Sequence, residues 1–304
     1  MLTSLRTAAA SASAAFIVSL CAGGAACAQT FHNEDGAIHF MYTPEYAKQI
    51  GRVPDANAGA MEYFGGTVFP RVEVVSVMWG KHVDSATIQG MPGFLRAIVN
   101  STYVDQLGQY GTVNVQSVNG YKSSNQNLVR GTFLGQVIIN PHNNATTLQD
   151  FDIHHELRRQ IEEGNLPGND TDTLYMVYFP NNITIEAFGL KSCINFGAYH
   201  FAKNWHQESA LNIFYGVMPG CGYSFNSHTI VSSHEFAEAT TDNIPTPGTN
   251  PDYPQAWNNS GGYEIGDLCE GTSGQLTTKK NTYYVQQEYL NSISGCSTGN
   301  YTSP

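Results

Sequence analysis

The chain has 304 residues and carries 25 acidic against 14 basic side chains, so its formal net charge is -11. This acidic balance, without any basic patch, argues against nucleic acid and anionic lipid as partners. The length is sufficient for an ample buried core.

Residues 1–28 have the pattern of a cleaved secretory signal. Arg6 is the only charged residue among the first thirty, and a short apolar run and an Ala-x-Ala end at Ala28 follow it. The apolar run is too short to span a bilayer as a helix. A membrane anchor or a lipid-modified cysteine in this segment is the alternative. We therefore expect a secreted, extracellular protein that starts near Gln29 and has no membrane span.

Four cysteines follow the signal, at positions 193, 221, 269 and 296. An even number in an exported chain indicates two disulfides. Three pairings are open, and the order along the chain favours Cys193–Cys221 and Cys269–Cys296. The rival interpretation is a four-cysteine metal site, although the chain lacks the C-x-x-C spacing of such sites.

Helical and extended patterns alternate along the first two thirds of the chain. Residues 29–65, which are mixed and Gly-rich, predict an extended arm lying on a single domain at 66–304. Runs of β-branched and aromatic residues predict strands at 72–79, 112–118, 132–139, 174–179, 213–218 and 282–286. Apolar spacing predicts helices after Pro92, at 150–163 and at about 227–241.

This alternation predicts an α/β domain of packed layers with a central mixed sheet. After Pro245 the chain becomes rich in Gly, Asn and Pro. We expect this irregular C-terminal region to pack back onto the sheet, tethered by the disulfides.

The predicted helix at 227–241, with Asn226 or Ser227 as its cap, carries the sequence His234-Glu235-Phe-Ala-Glu238. Residues i and i+4 share a helix face, so His234 and Glu238 can bind one cation. In the zinc-peptidase H-E-x-x-H helix the Glu is the general base, and here that position is Glu235. Zinc is the expected ion, and the extra carboxylate makes manganese or calcium alternatives.

An acidic motif, Glu264-Ile-Gly-Asp267-Leu-Cys269, follows about thirty residues later. Glu264 or Asp267 would be the third metal ligand, and Asp267 is preferred because Gly266 before it lets the backbone turn. The alternative without a metal site is a surface helix with two solvated glutamates. The sparse charge around the pair argues against it, since a helix this apolar is usually buried and buried charges need partners.

Four other histidines are weaker candidates. His200 is a possible metal ligand or transition-state donor, or else a packed histidine. His228 lies somewhat off the face of His234. His154 and His155 have no partner at i+4 and read as surface or packing residues.

Four motifs follow one another along the chain: Tyr63-Phe-Gly-Gly-Thr-Val, Val75-Ser-Val-Met-Trp79-Gly80, the His-Glu helix and Glu264-Ile-Gly-Asp267-Leu-Cys269. Together they resemble motifs of the exordium, or phosphate-induced protein 1, family of secreted proteins and its bacterial relatives. The similarity covers most of residues 60–296. It implies an extracellular protein, tied in plants to cell-wall growth and nutrient signalling.

Our leading hypothesis is a metal-dependent hydrolase, a zincin-like peptidase acting on an extracellular peptide or protein. His234, Glu238 and Asp267 or Glu264 would bind the ion, Glu235 would act as base, and His200 or a tyrosine would stabilise the oxyanion. The alternative is a non-catalytic extracellular binding or signalling protein with a structural metal site. A glycoside hydrolase fits less well, because its two acids flank the sugar from opposite sides.

Overall fold

The computed structural model describes residues 39–52, 54–204, 212–245 and 253–304. The predicted signal at 1–28 lies outside the described residues. The helices are α1 (Pro44–Ile50), α2 (Ser85–Val99), α3 (Thr102–Leu107), α4 (Asp150–Glu162) and α5 (Phe225–Thr241), with two short 3-10 helices at Gly108–Tyr110 and Asp267–Cys269.

The strands, in chain order, are β1 (His39–Tyr42), β2 (Glu62–Tyr63), β3 (Glu73–Met78), β4 (Thr132–Ile138), β5 (Thr147–Gln149), β6 (Thr173–Tyr178), β7 (Thr184–Ala187), β8 (Leu190–Lys191), β9 (Phe196–Asn204), β10 (Asn212–Met218), β11 (Trp257–Asn258), β12 (Gly274–Thr277), β13 (Thr282–Val285), β14 (Tyr289–Leu290), β15 (Gly295–Cys296) and β16 (Asn300–Thr302).

The centre of the fold is a six-stranded mixed sheet with the order β1-β9-β10-β6-β3-β4. Strands β10, β6, β3 and β4 run parallel, whereas β9 runs antiparallel to both β10 and β1. The predicted α/β class with a central mixed sheet is confirmed. In its described part, the segment predicted as an extended arm contributes β1 to this sheet, and it also forms α1 and β2, which pairs with β11.

Alternate residues of the sheet face two separate hydrophobic cores. Side chains such as Met176 and Ala198 face α2, α3 and α5, and their neighbours Val177 and Tyr199 face α4. This follows from the period of two along a strand, which sends successive side chains to opposite faces. The molecule is therefore layered helix–sheet–helix, and His200 of β9 lies on the α5 side because it is two residues on from Ala198.

The predicted strand at 112–118 is wrong, because these residues form a loop. Asn114 has φ 58°, in the left-handed region that interrupts a strand. Polar side chains then replace a sheet partner: the Thr112 hydroxyl accepts the Gln126 N–H at 2.8 Å, and Asn125 Oδ1 accepts the Asn114 N–H at 3.1 Å. Neither Val113 nor Val118 is buried.

Two helix starts differ from prediction. Pro92 lies inside α2, which begins at Ser85 with Asp84 as its cap. Proline lacks an N–H for the carbonyl four residues earlier, and Gln136 Nε2 donates to that Ile88 carbonyl instead, at 2.9 Å. Helix α5 is capped by Ser224, whose hydroxyl accepts the Ser227 N–H.

Both predicted disulfides are present. Cys193 pairs with Cys221, and Cys269 pairs with Cys296. Among the described residues, no helix has the length and apolarity needed to cross a membrane.

Candidate metal centre

Helix α5 is enclosed on nearly all sides, which brings its charged residues into the interior. From Val231 to Thr241 every residue of the helix is buried. It packs against β9, β10, β13 and α2. A helix without an exposed polar face must satisfy any charge it carries from within the protein.

The three predicted residues of the helix form the first part of the centre. His234 Nε2 lies 3.1 Å from Glu238 Oε2, as expected for an i, i+4 pair. One ligand atom from each of His234, Glu235 and Glu238 lies within 4.8 Å of the other two. Glu235 has 0% of its surface exposed, so the base predicted for catalysis lies in the interior.

Strand β9 places His200 against the same carboxylates. Its Nδ1 lies 3.4 Å from Glu235 Oε2 and 3.8 Å from Glu238 Oε2. Its Nε2 lies 3.1 Å from the Asp242 carbonyl oxygen, which can only accept, so Nε2 carries the proton. The neutral ring therefore presents the Nδ1 lone pair to the centre, which suits a metal ligand better than an oxyanion donor.

The acidic motif does converge on the helix, through Glu264. Glu264 Oε1 lies 3.6 Å from His200 Nε2, and atoms of His200, Glu238 and Glu264 form a second group within 4.8 Å. Gly266 packs directly on the helix, since a Cβ there would lie 2.7 Å from His234 Nδ1 and 2.8 Å from Glu238 Oε1. Only glycine allows this close approach.

The preferred third ligand, Asp267, belongs to neither group. Its carboxylate Oδ2 is 2.8 Å from Arg52 and also accepts the Glu264 N–H at 3.0 Å. Its own N–H donates to Glu238 Oε1 at 3.0 Å. Asp267 therefore orients both glutamates, and the structure favours Glu264 over Asp267 as a ligand.

Three contributors were absent from the predicted set. His39 of β1 lies with Nδ1 3.2 Å from Glu264 Oε2, and Arg52 holds Asp267. Gln286 Nε2 donates to the Gly266 carbonyl at 2.9 Å and lies 2.8 Å from His234 Nδ1. Such an outer partner fixes the orientation of a ligating imidazole.

The other three histidines considered from the sequence, His154, His155 and His228, do not join the centre. His228 Nδ1 pairs with the Thr87 hydroxyl at 2.8 Å, and its Nε2 donates to the Pro219 carbonyl at 3.4 Å. His154 and His155 lie on α4, across the sheet from α5, and their rings pack against each other.

Several atoms of the centre have no hydrogen-bond partner among the described residues. They are both carboxylate oxygens of Glu264, Oε1 of Glu235 and Nε2 of His234. An ionised carboxylate that is buried without donors or a countercharge is very costly. A divalent cation would remove this cost, and the donor set of imidazoles and carboxylates fits zinc and, less selectively, manganese.

Burial dominates the electrostatics of the glutamates. It raises the pKa of Glu235 and of Glu264 well above the usual range and also raises the pKa of Glu238. For Glu264, the nearby charges of Glu238 and Asp242 raise the pKa further. Without a cation, these acids would hold protons into the range where ordinary carboxyls are ionised.

The two central histidines shift in opposite directions. Burial opposes a charge on His234, but Glu238 and Glu235 outweigh it and raise the His234 pKa well above its usual value. Burial, reinforced by His39, lowers the His200 pKa to about 3. For Asp267, burial would raise the pKa, but the Arg52 guanidinium outweighs it and lowers it. At neutral pH, His200 is therefore uncharged and Asp267 is ionised.

Comparison of the chain with protein families, with curated proteins and with solved structures found no match.

Proposed function

We propose that this protein is an exported metal-dependent hydrolase of the zincin-like type, acting on extracellular peptides or proteins. The observation that carries the proposal is the meeting of the His-Glu helix with Glu264, which lies twenty-six residues beyond Glu238, around atoms that lack hydrogen-bond partners. A cation there would offset the cost of burying several carboxylates together.

The layering of the fold supports the zincin-like type. Helix α5 follows β10 directly and packs against both β10 and its antiparallel neighbour β9. A sheet lying alongside the His-Glu helix is the arrangement that this type of enzyme needs. Because one fold can host many activities, the residues of the centre carry the functional argument.

In this proposal, Glu238, which belongs to both groups, holds the cation together with His200, His234 and Glu264, and zinc is the first choice. When bound there, a cation would supply Lewis acidity toward water and a substrate carbonyl. Glu235 is one residue on from His234 and contacts His200, so its Oε1 is positioned to accept a proton at the centre. Asp267 and Gln286 orient the ligands.

A second function, a non-catalytic extracellular binding protein with a structural metal site, is favoured by one specific observation. The side chains of Glu235, Glu264 and His234 are fully buried, and a substrate needs access to the base. In this alternative the same cation stabilises the fold, and recognition takes place elsewhere on the surface.

Metal analysis and a peptide-library assay of the purified protein separate these functions. A hydrolase should contain zinc or manganese and cleave peptides, and Glu235→Gln should abolish cleavage while the metal stays bound. The exposed Glu45→Gln is the matched control and should leave cleavage unchanged. Bound metal without cleavage by the wild-type protein would favour the binding protein, whereas a metal-free protein after expression with zinc would refute both functions.

A further inference from the structure

Residues 39–52, comprising β1, α1 and the turn after it, touch the centre at two separate points. We propose that this segment, the N-terminal clamp, completes the metal centre: His39 and Arg52 hold the ligand Glu264 in place from its two ends, and the clamp limits how fast the cation enters and leaves. The inference rests on the metal site of the proposed function, but not on hydrolysis.

The first contact comes from β1. In the antiparallel pairing of β1 with β9, His39 is the direct partner of His200, so both imidazoles are on the α5 side of the sheet. His39 Nδ1 lies 3.2 Å from Glu264 Oε2, and His200 Nε2 lies 3.6 Å from Glu264 Oε1. Glu264 is therefore held between two imidazoles, and His39 positions it through Oε2.

The second contact comes from Arg52, at the other end of the clamp. Its guanidinium donates to Asp267 at 2.8 Å and to the Gly262 carbonyl at 3.2 Å, and it stacks over the Tyr263 ring at 4.3 Å. Asp267 in turn accepts the Glu264 N–H and donates to Glu238. Arg52 thus fixes two ligands through one residue.

The clamp is held in place by its own contacts with β9. The Phe40 ring lies 4.7 Å from that of Phe196, and the Thr43 N–H donates to the Asn195 carbonyl at 2.9 Å. Helix α1 ends at Gly51, whose φ of 73° turns the chain toward Arg52. The clamp therefore runs from the sheet edge to the acidic motif, and both ends act on Glu264.

This arrangement predicts slow metal exchange that depends on the clamp. In zinc-loaded protein, His39→Gln and Arg52→Met should each speed the transfer of zinc to a coloured chelator by about 10–100-fold, the range for partners that orient metal ligands. Arg52→Lys keeps the positive charge but loses the planar, forked guanidinium. Its rate of zinc transfer should therefore lie between those of wild type and Arg52→Met. Lys48→Met, on the exposed side of α1, is the control and should match wild type.

A second measurement leaves every clamp residue intact. Residues 57–60 are exposed, so a specific protease site inserted between Ala58 and Gly59 can cut the connection after the clamp. Zinc release should be faster by at least about 10-fold after the cut than before it.

Folding of each variant and of the cut chain is verified by circular dichroism. If all of them release zinc at rates within about threefold of wild type, the proposal for the clamp is overturned while the proposed function stands. Failure of the wild-type protein to bind zinc would overturn the proposed function, and the clamp with it.

Discussion

Two buried acids of the same neighbourhood, Asp242 and Glu264, differ in the hydrogen-bond partners that surround them. Asp242, just after α5, accepts the Ala256 N–H at 2.9 Å on one oxygen and the Asn258 amide at 2.7 Å on the other. Glu264 is equally buried, yet neither of its oxygens has a hydrogen-bond partner among the described residues.

The difference shows what each site is built for. A fold that needs only a buried carboxylate surrounds it with its own donors, as at Asp242. Around Glu264 the neighbours are instead imidazoles and further carboxylates, which are metal ligands. Asp242 is therefore a structural acid, and Glu264 is the acid that we expect to bind the cation.

Removing the cation gives the largest expected effect. A ligand at 1,000 times its dissociation constant stabilises the native state by about 4 kcal/mol. Chelation should lower the unfolding temperature of the wild-type protein accordingly, as measured by scanning calorimetry with and without chelator. Asp242→Asn should show the same difference, whereas in Glu264→Gln the stabilisation by the cation should be smaller by about 2.7 kcal/mol or more. If chelation lowered the unfolding temperatures of the two variants equally, the distinction between Asp242 and Glu264 would be contradicted.

Exchanging one acid at a time sharpens the contrast. Glu264→Gln should weaken zinc binding by more than about 100-fold, beyond the range for outer partners. Asp242→Asn should keep zinc affinity but lower the free energy of unfolding by about 1.5–3 kcal/mol, because its new amide group faces the donor of Asn258. Competition titration and urea unfolding measure the two quantities. A loss of zinc affinity in Asp242→Asn would contradict the assignment of Asp242 as a structural acid.

The outer partner of His234 has a smaller expected effect. Gln286→Met removes the amide beside Nδ1 and the donor to the Gly266 carbonyl, and should weaken zinc binding by about 10–100-fold. Gln287→Met is the matched control, because the amide of this neighbouring residue donates to the carbonyl of the exposed Ser273 instead. Similar affinities for the two variants would show that Gln286 does not orient the ligand.

The smallest expected effect is the pH dependence of the metal-free protein. A group whose pKa is higher in the folded state makes its stabilising contribution below its unfolded pKa and loses it as pH rises. The glutamates of the centre are of this kind. The pKa of His200 is instead lowered in the folded state, so His200 has the opposite effect on stability. Its stabilising contribution is complete above about pH 6.5.

With chelator present, stability should therefore fall as pH rises above about 6.5, whereas zinc-loaded protein should show a smaller fall or a rise, because protons no longer compete with the ion. Urea unfolding at several pH values, with and without zinc, measures this. A flat profile in chelator would mean that the buried acids find partners of their own.

The sequence was sufficient to predict the helix of the centre, the shared face of His234 and Glu238, the approach of the acidic motif to that helix, and both disulfides. Helical spacing places His234 and Glu238 on one face whatever surrounds them. Asp267 was preferred over Glu264 from local turn chemistry, but Arg52, 215 residues earlier in the chain, takes its carboxylate. Such a long-range ion pair leaves no periodic signal.

His39 and the loop at 112–118 escaped prediction for related reasons. His39 reaches the centre through its pairing with β9, across 161 positions of the chain, and no pattern around it indicates that partner. At 112–118 the alternation of valines predicts a strand, but side-chain hydrogen bonds from a later polar stretch satisfy the backbone instead. Local propensity is overridden there by tertiary contacts.

The disulfide at Cys269 lies only two residues beyond Asp267, at the end of the short 3-10 helix that carries it. In a reducing cell interior this cross-link does not persist, so the acidic motif would lose a covalent anchor while the chain is still inside. We therefore expect assembly of the centre to depend on an oxidising compartment, and a recombinant chain should be made in one if its metal content is to be meaningful.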